Sequence, residues 1–114
     1  MKLSILIPVY NEEKTIIDVL QRIKKTKVDD IDYETIVIND GSTDGTKKLL
    51  EDNNTLYNSL INNSRNSGKG FSVKQGLKIS TGEYIIFQDA DLEYDPIEFK
   101  KFIKVFSEFN ADVI

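Results

Sequence analysis

The sequence predicts an α/β domain, a mostly parallel sheet with helices on both faces. Three observations predict it. Short β-branched runs alternate strictly with stretches whose apolar residues recur at helical spacing. Polar, glycine-bearing clusters follow the runs, at the strand ends where open parallel sheets bind ligands. The 114 residues, 39% apolar and 30% charged, suit one soluble domain with a real core.

The first run, Leu3-Ser4-Ile5-Leu6-Ile7-Pro8-Val9, reads as a strand stopped by proline. Asn11 is placed to cap a helix, with Glu12 and Glu13 at its positive end. Ile16, Val19, Leu20 and Ile23 give that helix one apolar face, and Lys24, Lys25 and Lys27 suit its carboxyl end. Thr35-Ile36-Val37-Ile38 is a second strand, and Ser42 or Thr43 would cap a helix reaching about Glu51. Residues 55–61 form a weaker third strand. A third helix follows Gly68-Lys69-Gly70, runs to about Ser80 and is ended by Thr81-Gly82. Tyr84-Ile85-Ile86-Phe87 is an apolar run of strand length. A fourth helix opens near Pro96 and buries Phe99, Phe102, Ile103 and Phe106. Asp112-Val113-Ile114 resembles the start of one more strand, so the expectation is a truncated domain.

Composition excludes several chemistries. Without cysteine there are no disulfides or thiolate metal sites, and without histidine no imidazole base or usual zinc site. Any metal must be held by oxygen. The net charge of −4 argues against non-specific nucleic-acid binding. Neither a secretory signal nor an apolar stretch of about 20 residues is present. A cytoplasmic location is the default, with peripheral attachment to a membrane left open.

The most informative cluster is Asp89-Ala90-Asp91, directly after the fourth run. Residues two apart in extended chain project to one side. Two carboxylates about 4 Å apart repel by roughly 4 kcal/mol at an effective dielectric of 20. A hard cation such as Mg²⁺ or Mn²⁺ would relieve that repulsion. A solvated acidic turn is the alternative for this motif alone. Asp40-x-Ser42-x-Asp44-Gly45-x5-Glu51 nearly matches a calcium loop, but a strand precedes it where a calcium hand needs a helix. An Asx or Ser turn capping the second helix explains it as well. Around Gly68-Lys69-Gly70 neither the Walker A spacing nor a dinucleotide fingerprint is met. Arg65, Gly68 and Lys69 could face an anionic ligand, or form a solvated helix start.

Taken together, Pro8-Val9-Tyr10-Asn11-Glu12, Asn39-Asp40-Gly41-Ser42-Thr43-Asp44-Gly45-Thr46, Arg65-Asn66-Ser67-Gly68-Lys69-Gly70 and Asp89-Ala90-Asp91-Leu92-Glu93-Tyr94-Asp95-Pro96 resemble the family 2 glycosyltransferases of GT-A fold. The last segment looks most like enzymes that load a sugar onto a polyprenyl phosphate, the dolichol-phosphate mannosyltransferase type. The resemblance implies that Pro8, Tyr10 and Glu12 border the donor nucleoside and that Asp40 contacts its base or ribose. It implies that Asp89 and Asp91 hold Mg²⁺ or Mn²⁺ on the donor diphosphate. Lys69 and Ala90 complete the expected substrate-binding set. Glu93 stands where many relatives carry glutamine, and is either a third metal ligand or an exposed carboxylate. Asn39-Asp40 replaces two consecutive acids, and the second is the one carried over.

The expectation is therefore the nucleotide-sugar-binding half, residues 1–114, of an inverting glycosyltransferase. The acceptor implied is a polyprenyl phosphate at the membrane surface, and the acceptor half, with any catalytic residue, lies downstream. Such a fragment would bind donor weakly, transfer no sugar and tend to self-associate. A nucleotidyltransferase would instead show a glycine-rich basic loop after the first strand, which Pro8-Val9-Tyr10-Asn11-Glu12 is not. A receiver-like signalling domain would need a lysine after a later strand, and the chain ends before one.

Overall fold

Leu3, Ile5, Ile7 and Val9 point to one side of an extended chain and Ser4, Leu6 and Pro8 to the other. Both sets are largely buried, so this strand needs cover on two faces. The computed structural model, which describes residues 1–26 and 30–90, supplies it. The elements are β1 Lys2–Val9, α1 Ile16–Lys25, β2 Asp32–Asn39, α2 Thr46–Asp52, a 3-10 turn at Asn54–Leu56, β3 Ser59–Asn62, α3 Lys69–Ile79 and β4 Tyr84–Phe87. All strands are parallel and lie in the order β3-β2-β1-β4. The expected helix near Pro96 and strand at Asp112 fall outside the described residues.

The chain steps outward from β1 to β2 to β3, then crosses back to the far side of β1 for β4. Right-handed crossovers then place α1 and α2 on one face and α3 on the other. Two apolar clusters match this arrangement. Leu3, Ile5, Ile7, Val9, Val37 and Ile86 pack with Ile16, Val19, Leu20, Ile23 and Leu50 of α1 and α2. On the opposite face Leu6, Ile36 and Ile38 are buried under α3. That helix reaches the sheet through Gly76, where an added Cβ would lie 2.9 Å from Leu6 and 3.0 Å from Ile38.

The reversal of direction between β1 and β4 is the topological switch point, where such sheets open a crevice. Proline sets where it opens. The Gln88 N–H donates to the Leu6 carbonyl, so even-numbered residues of β1 face β4. Pro8 is the next such residue and has no N–H to extend the ladder. Pairing of β1 with β4 ends at Leu6 and Phe87, and the strands part there.

The boundaries refine the expectations in three places. Asn11 adopts φ of 51° and does not cap α1, whose N-cap is Thr15. Ser42 and Thr43 lie outside α2, whose N-cap is Gly45. The third strand starts at Ser59, since residues 54–56 coil into the 3-10 turn.

At the amino ends of the strands a polar latch ties β1, β2 and the α3–β4 turn together. Glu34 accepts from the Ser4 hydroxyl at 2.7 Å and from the Thr81 N–H and hydroxyl at 2.8 Å each. The Gly82 N–H donates to Ser4 Oγ at 2.8 Å. Partial burial pushes the Glu34 pKa up, but these donors and the Lys2 ammonium outweigh it and hold the carboxyl below its ordinary value of 4.5. A group whose folded pKa is depressed stabilises the fold above its unfolded pKa and loses that contribution as pH falls through the folded one. Glu34→Gln should therefore lower the melting temperature at pH 7. The gap to wild type should narrow below about pH 4.5, as a pH series of thermal melts would show.

Candidate functional site

The switch-point cleft has a volume of about 230 Å³. The carboxyl end of β1 contributes Pro8, Tyr10 and Glu12 to its wall, and β2 contributes Asp40. The loop into α3 adds Asn66, Gly68 and Lys69, and the end of β4 adds Asp89 and Ala90. Pro8, Tyr10, Glu12, Asp40, Lys69, Asp89 and Ala90, all expected from the sequence to bind substrate, therefore lie on one cleft, whereas Arg65 does not line it. Asp91 and Glu93 lie outside the described residues. A larger cavity of about 550 Å³ sits near the amino end of β2, between Lys24, Tyr33 and Thr55. Lys24, Asp30 and Asp32 give it charge, but it lies away from the carboxyl ends of the strands and holds none of the residues that carry the family 2 resemblance.

Asp40 is the anchor of that cleft. It is 4% exposed, yet charged. One carboxylate oxygen accepts from Asn63 Nδ2 at 3.0 Å and the Ser67 N–H at 2.9 Å, and the other from the Gly68 N–H at 2.8 Å. Burial raises its pKa, and these donors more than reverse the effect, holding the carboxyl below the usual range. The Ser72 hydroxyl, fully buried on α3, adds to that lowering without making a hydrogen bond of full geometry. The oxygens of Asp40 are thus turned toward the loop that starts α3, and Asp40 also meets the cleft. Its engagement there, and the strand before it, leave no calcium loop at residues 40–51. Asp44 is likewise engaged, accepting the Thr46 N–H at 2.9 Å in an Asx turn just before α2.

Asn39 explains its own identity. Its Nδ2 donates to Asn62 Oδ1 at 3.0 Å, and its oxygen accepts from the Ser42 N–H at 3.3 Å. A carboxylate could not make the first of these bonds. Asn11 staples the β1 loop to the β2 loop: its oxygen accepts the Thr43 and Asp44 N–H groups at 2.7 and 3.3 Å, and its own N–H donates to Ser42 Oγ at 3.0 Å. Asparagine is among the few non-glycine residues that take positive φ readily. Gly45 completes the staple by donating its N–H to Glu13 at 2.8 Å.

Two contacts reach the acidic turn after β4. The Thr15 hydroxyl lies 2.9 Å from the Ala90 carbonyl and 3.2 Å from Glu12 Oε2. The Lys69 ammonium sits 2.7 Å from Asp89 Oδ1. Thr15, Asn63, Ser67 and Ser72 did not emerge from the sequence as site residues. Thr15 carried a signal, a hydroxyl residue just before an apolar helical face. The others act through backbone or through contacts between loops, which no local pattern reveals.

Among the described residues no three acidic side chains gather as a complete metal site. The available donor chemistry is carboxylate oxygen, which suits Mg²⁺ or Mn²⁺, and Asp89 presents one such group, about a third exposed, at the cleft.

With this geometry, comparison with known proteins is decisive. The sequence model for Glycosyl transferase family 2 matches residues 4–114. The chain belongs to that family. Its relatives include the undecaprenyl-phosphate 4-deoxy-4-formamido-L-arabinose transferase of Proteus mirabilis, 34% identical over 119 residues that cover 99% of this chain and 36% of that protein. Among solved structures, S. aureus TarS 1-349 in complex with UDP-GlcNAc superposes with a TM-score of 0.78 at 30% identity, over 95% of this chain and 32% of TarS. The mannosyltransferase PcManGT of Pyrobaculum calidifontis, in complex with GDP-Man and Mn²⁺, gives 0.72 at 25% identity, over 92% of this chain and 32% of its own. The sheet and helices are thus those of the GT-A fold, and this family 2 chain spans about a third of these relatives' length.

Gly41 tests how tightly the β2 and β3 loops of the family 2 site must meet. Its φ is +71°, and an added Cβ would lie 2.2 Å from the Arg65 carbonyl carbon. That neighbour is backbone and cannot swing aside. Gly41→Ala should destabilise the fold by about 1–3 kcal/mol. Chemical denaturation would measure the loss, and an unchanged midpoint would contradict this packing.

Proposed function

We propose that this chain is the donor-binding part of an inverting, metal-assisted glycosyltransferase that takes a nucleoside-diphosphate sugar. The observation that carries the proposal is the convergence of Pro8, Tyr10, Glu12, Asp40, Lys69 and Asp89 on one switch-point cleft. The UDP-GlcNAc of TarS and the GDP-Man with Mn²⁺ of PcManGT support the ligand class. In the whole protein, the acceptor we propose is a polyprenyl phosphate at a membrane surface, supported by the Proteus relative. Among the described residues no helix is long and apolar enough to cross a membrane.

The residues divide the work as follows. Tyr10, 43% exposed at the cleft mouth, offers a ring face to a nucleobase. Asp40 fixes the loop that shapes the nucleoside side of the cleft. Lys69, at the start of α3, offers an ammonium to a diphosphate. Asp89, with Asp91, would hold Mg²⁺ or Mn²⁺, which supplies Lewis-acid stabilisation of charge on a departing nucleoside diphosphate. An ionised phosphate acceptor is already a nucleophile, which removes the need for a general base.

A thermal-shift panel of UDP-, GDP- and dTDP-sugars with and without Mn²⁺ tests this. The matching donor, at about 100 times its dissociation constant, should stabilise the chain by about 2.7 kcal/mol. The gain should need Mn²⁺ and should shrink in Asp89→Asn while the unliganded melting temperature holds. A metal-independent gain that survives Asp89→Asn would remove the metal from the proposal.

A further inference from the structure

We infer that Lys69 competes with the divalent cation for Asp89, holding that carboxylate before the cation binds and turning to the donor diphosphate afterwards. The inference rests on the donor reading of the cleft given above.

Four observations lead to it. Lys69 Nζ and Asp89 Oδ1 are 2.7 Å apart, a direct charge-assisted contact. Among the described residues, it joins the one basic side chain lining the cleft to the acid carried over as a metal ligand. The base of the lysine is fixed, because the preceding Gly68 N–H is held by Asp40 at 2.8 Å. Its tip is not, since the Lys69 side chain is 65% exposed. A fixed root with a solvent-exposed ammonium is the arrangement of an arm that changes partners.

The chemistry of the acid then forces a choice. A hard cation binds a carboxylate oxygen at about 2.0–2.2 Å. An ammonium on Oδ1 would sit beside the cation as a like charge, so the cation takes that oxygen only as Lys69 leaves and is opposed by it even at Oδ2. The released ammonium finds a diphosphate as its next partner within the same small cleft. A merely structural latch is the weaker explanation, because exposed ion pairs contribute little to folding. Before metal and donor arrive, Lys69 also removes the open negative charge of Asp89 from the cleft, easing the approach of an anionic ligand.

Calorimetric titration of Mn²⁺ alone into the 114-residue chain tests the exchange, followed by titration of UDP and GDP in saturating Mn²⁺. Lys69→Met should bind Mn²⁺ about fivefold more tightly than wild type, and the gap should narrow in 0.5 M NaCl as screening weakens the competing charge. The same variant should bind the preferred diphosphate about fivefold more weakly. Lys69→Gln should behave alike, and circular dichroism verifies that both variants fold. Asp89→Asn separates the two levels of argument. If Asp89→Asn loses Mn²⁺ binding but Lys69→Met gains none, the competition is wrong and the donor reading stands. If Asp89→Asn binds Mn²⁺ as wild type does, the metal reading fails and takes this inference with it.

Discussion

The cleft depends on one buried charge. Asp40 leaves water almost completely, and the loss of its hydration is made good by two backbone amides and the amide of Asn63. Those donors come from the segment that must lead β3 into α3. The carboxylate therefore defines where α3 begins, and with it the position of Lys69 and the wall of the site. Hydrogen bonds to a charged group contribute about 1.5–3 kcal/mol each when well formed, enough to hold a loop that has little apolar surface of its own. Gly68 at φ of 100° and Gly41 at φ of 71° let the two loops meet around that charge.

Much of this was legible because β-α alternation and the parallel-sheet rules leave few topologies to choose from. Residues 84–87, a bare apolar run, could be placed as a strand because an acidic turn follows and a helix precedes. The rule that ligands meet the carboxyl ends of strands grouped the four polar clusters, and the resemblance to family 2 picked out Pro8, Tyr10, Glu12, Asp40, Lys69, Asp89 and Ala90 within them. What escaped was the use to which polar residues are put. Asn11, Ser42 and Thr43 have the chemistry of helix caps, and at short range nothing distinguishes a cap from a staple between loops. Their partners are about thirty positions away, set by the pairing of β1 with β2. Helices α1 and α2 accordingly begin later than their capping residues suggest.

Asp40 and Asp89 illustrate the same limit from the other direction. Each follows a strand, and in the sequence both are acids at a carboxyl end. Burial separates them. Asp40 follows a central strand, lies against the loop that starts α3, and accepts three hydrogen bonds from protein donors. Asp89 follows an edge strand past the point where Pro8 ends the pairing, and it keeps an open side toward the cleft. The first supports shape and the second is free to exchange partners, a distinction that strand order creates and residue type does not.

The Glu34 latch lies at the opposite end of the strands from all of this. It clamps β1, β2 and the turn before β4, away from the described residues that line the cleft. The sheet is thus gripped like a fan, by its base, and the cleft opens at the far tips. With the donor site proposed above, substitutions at those tips would leave the grip untouched, and one frame could change its choice of nucleobase or sugar without rebuilding its foundation. Amide exchange should be graded along each strand, slow at the base and faster toward the tips.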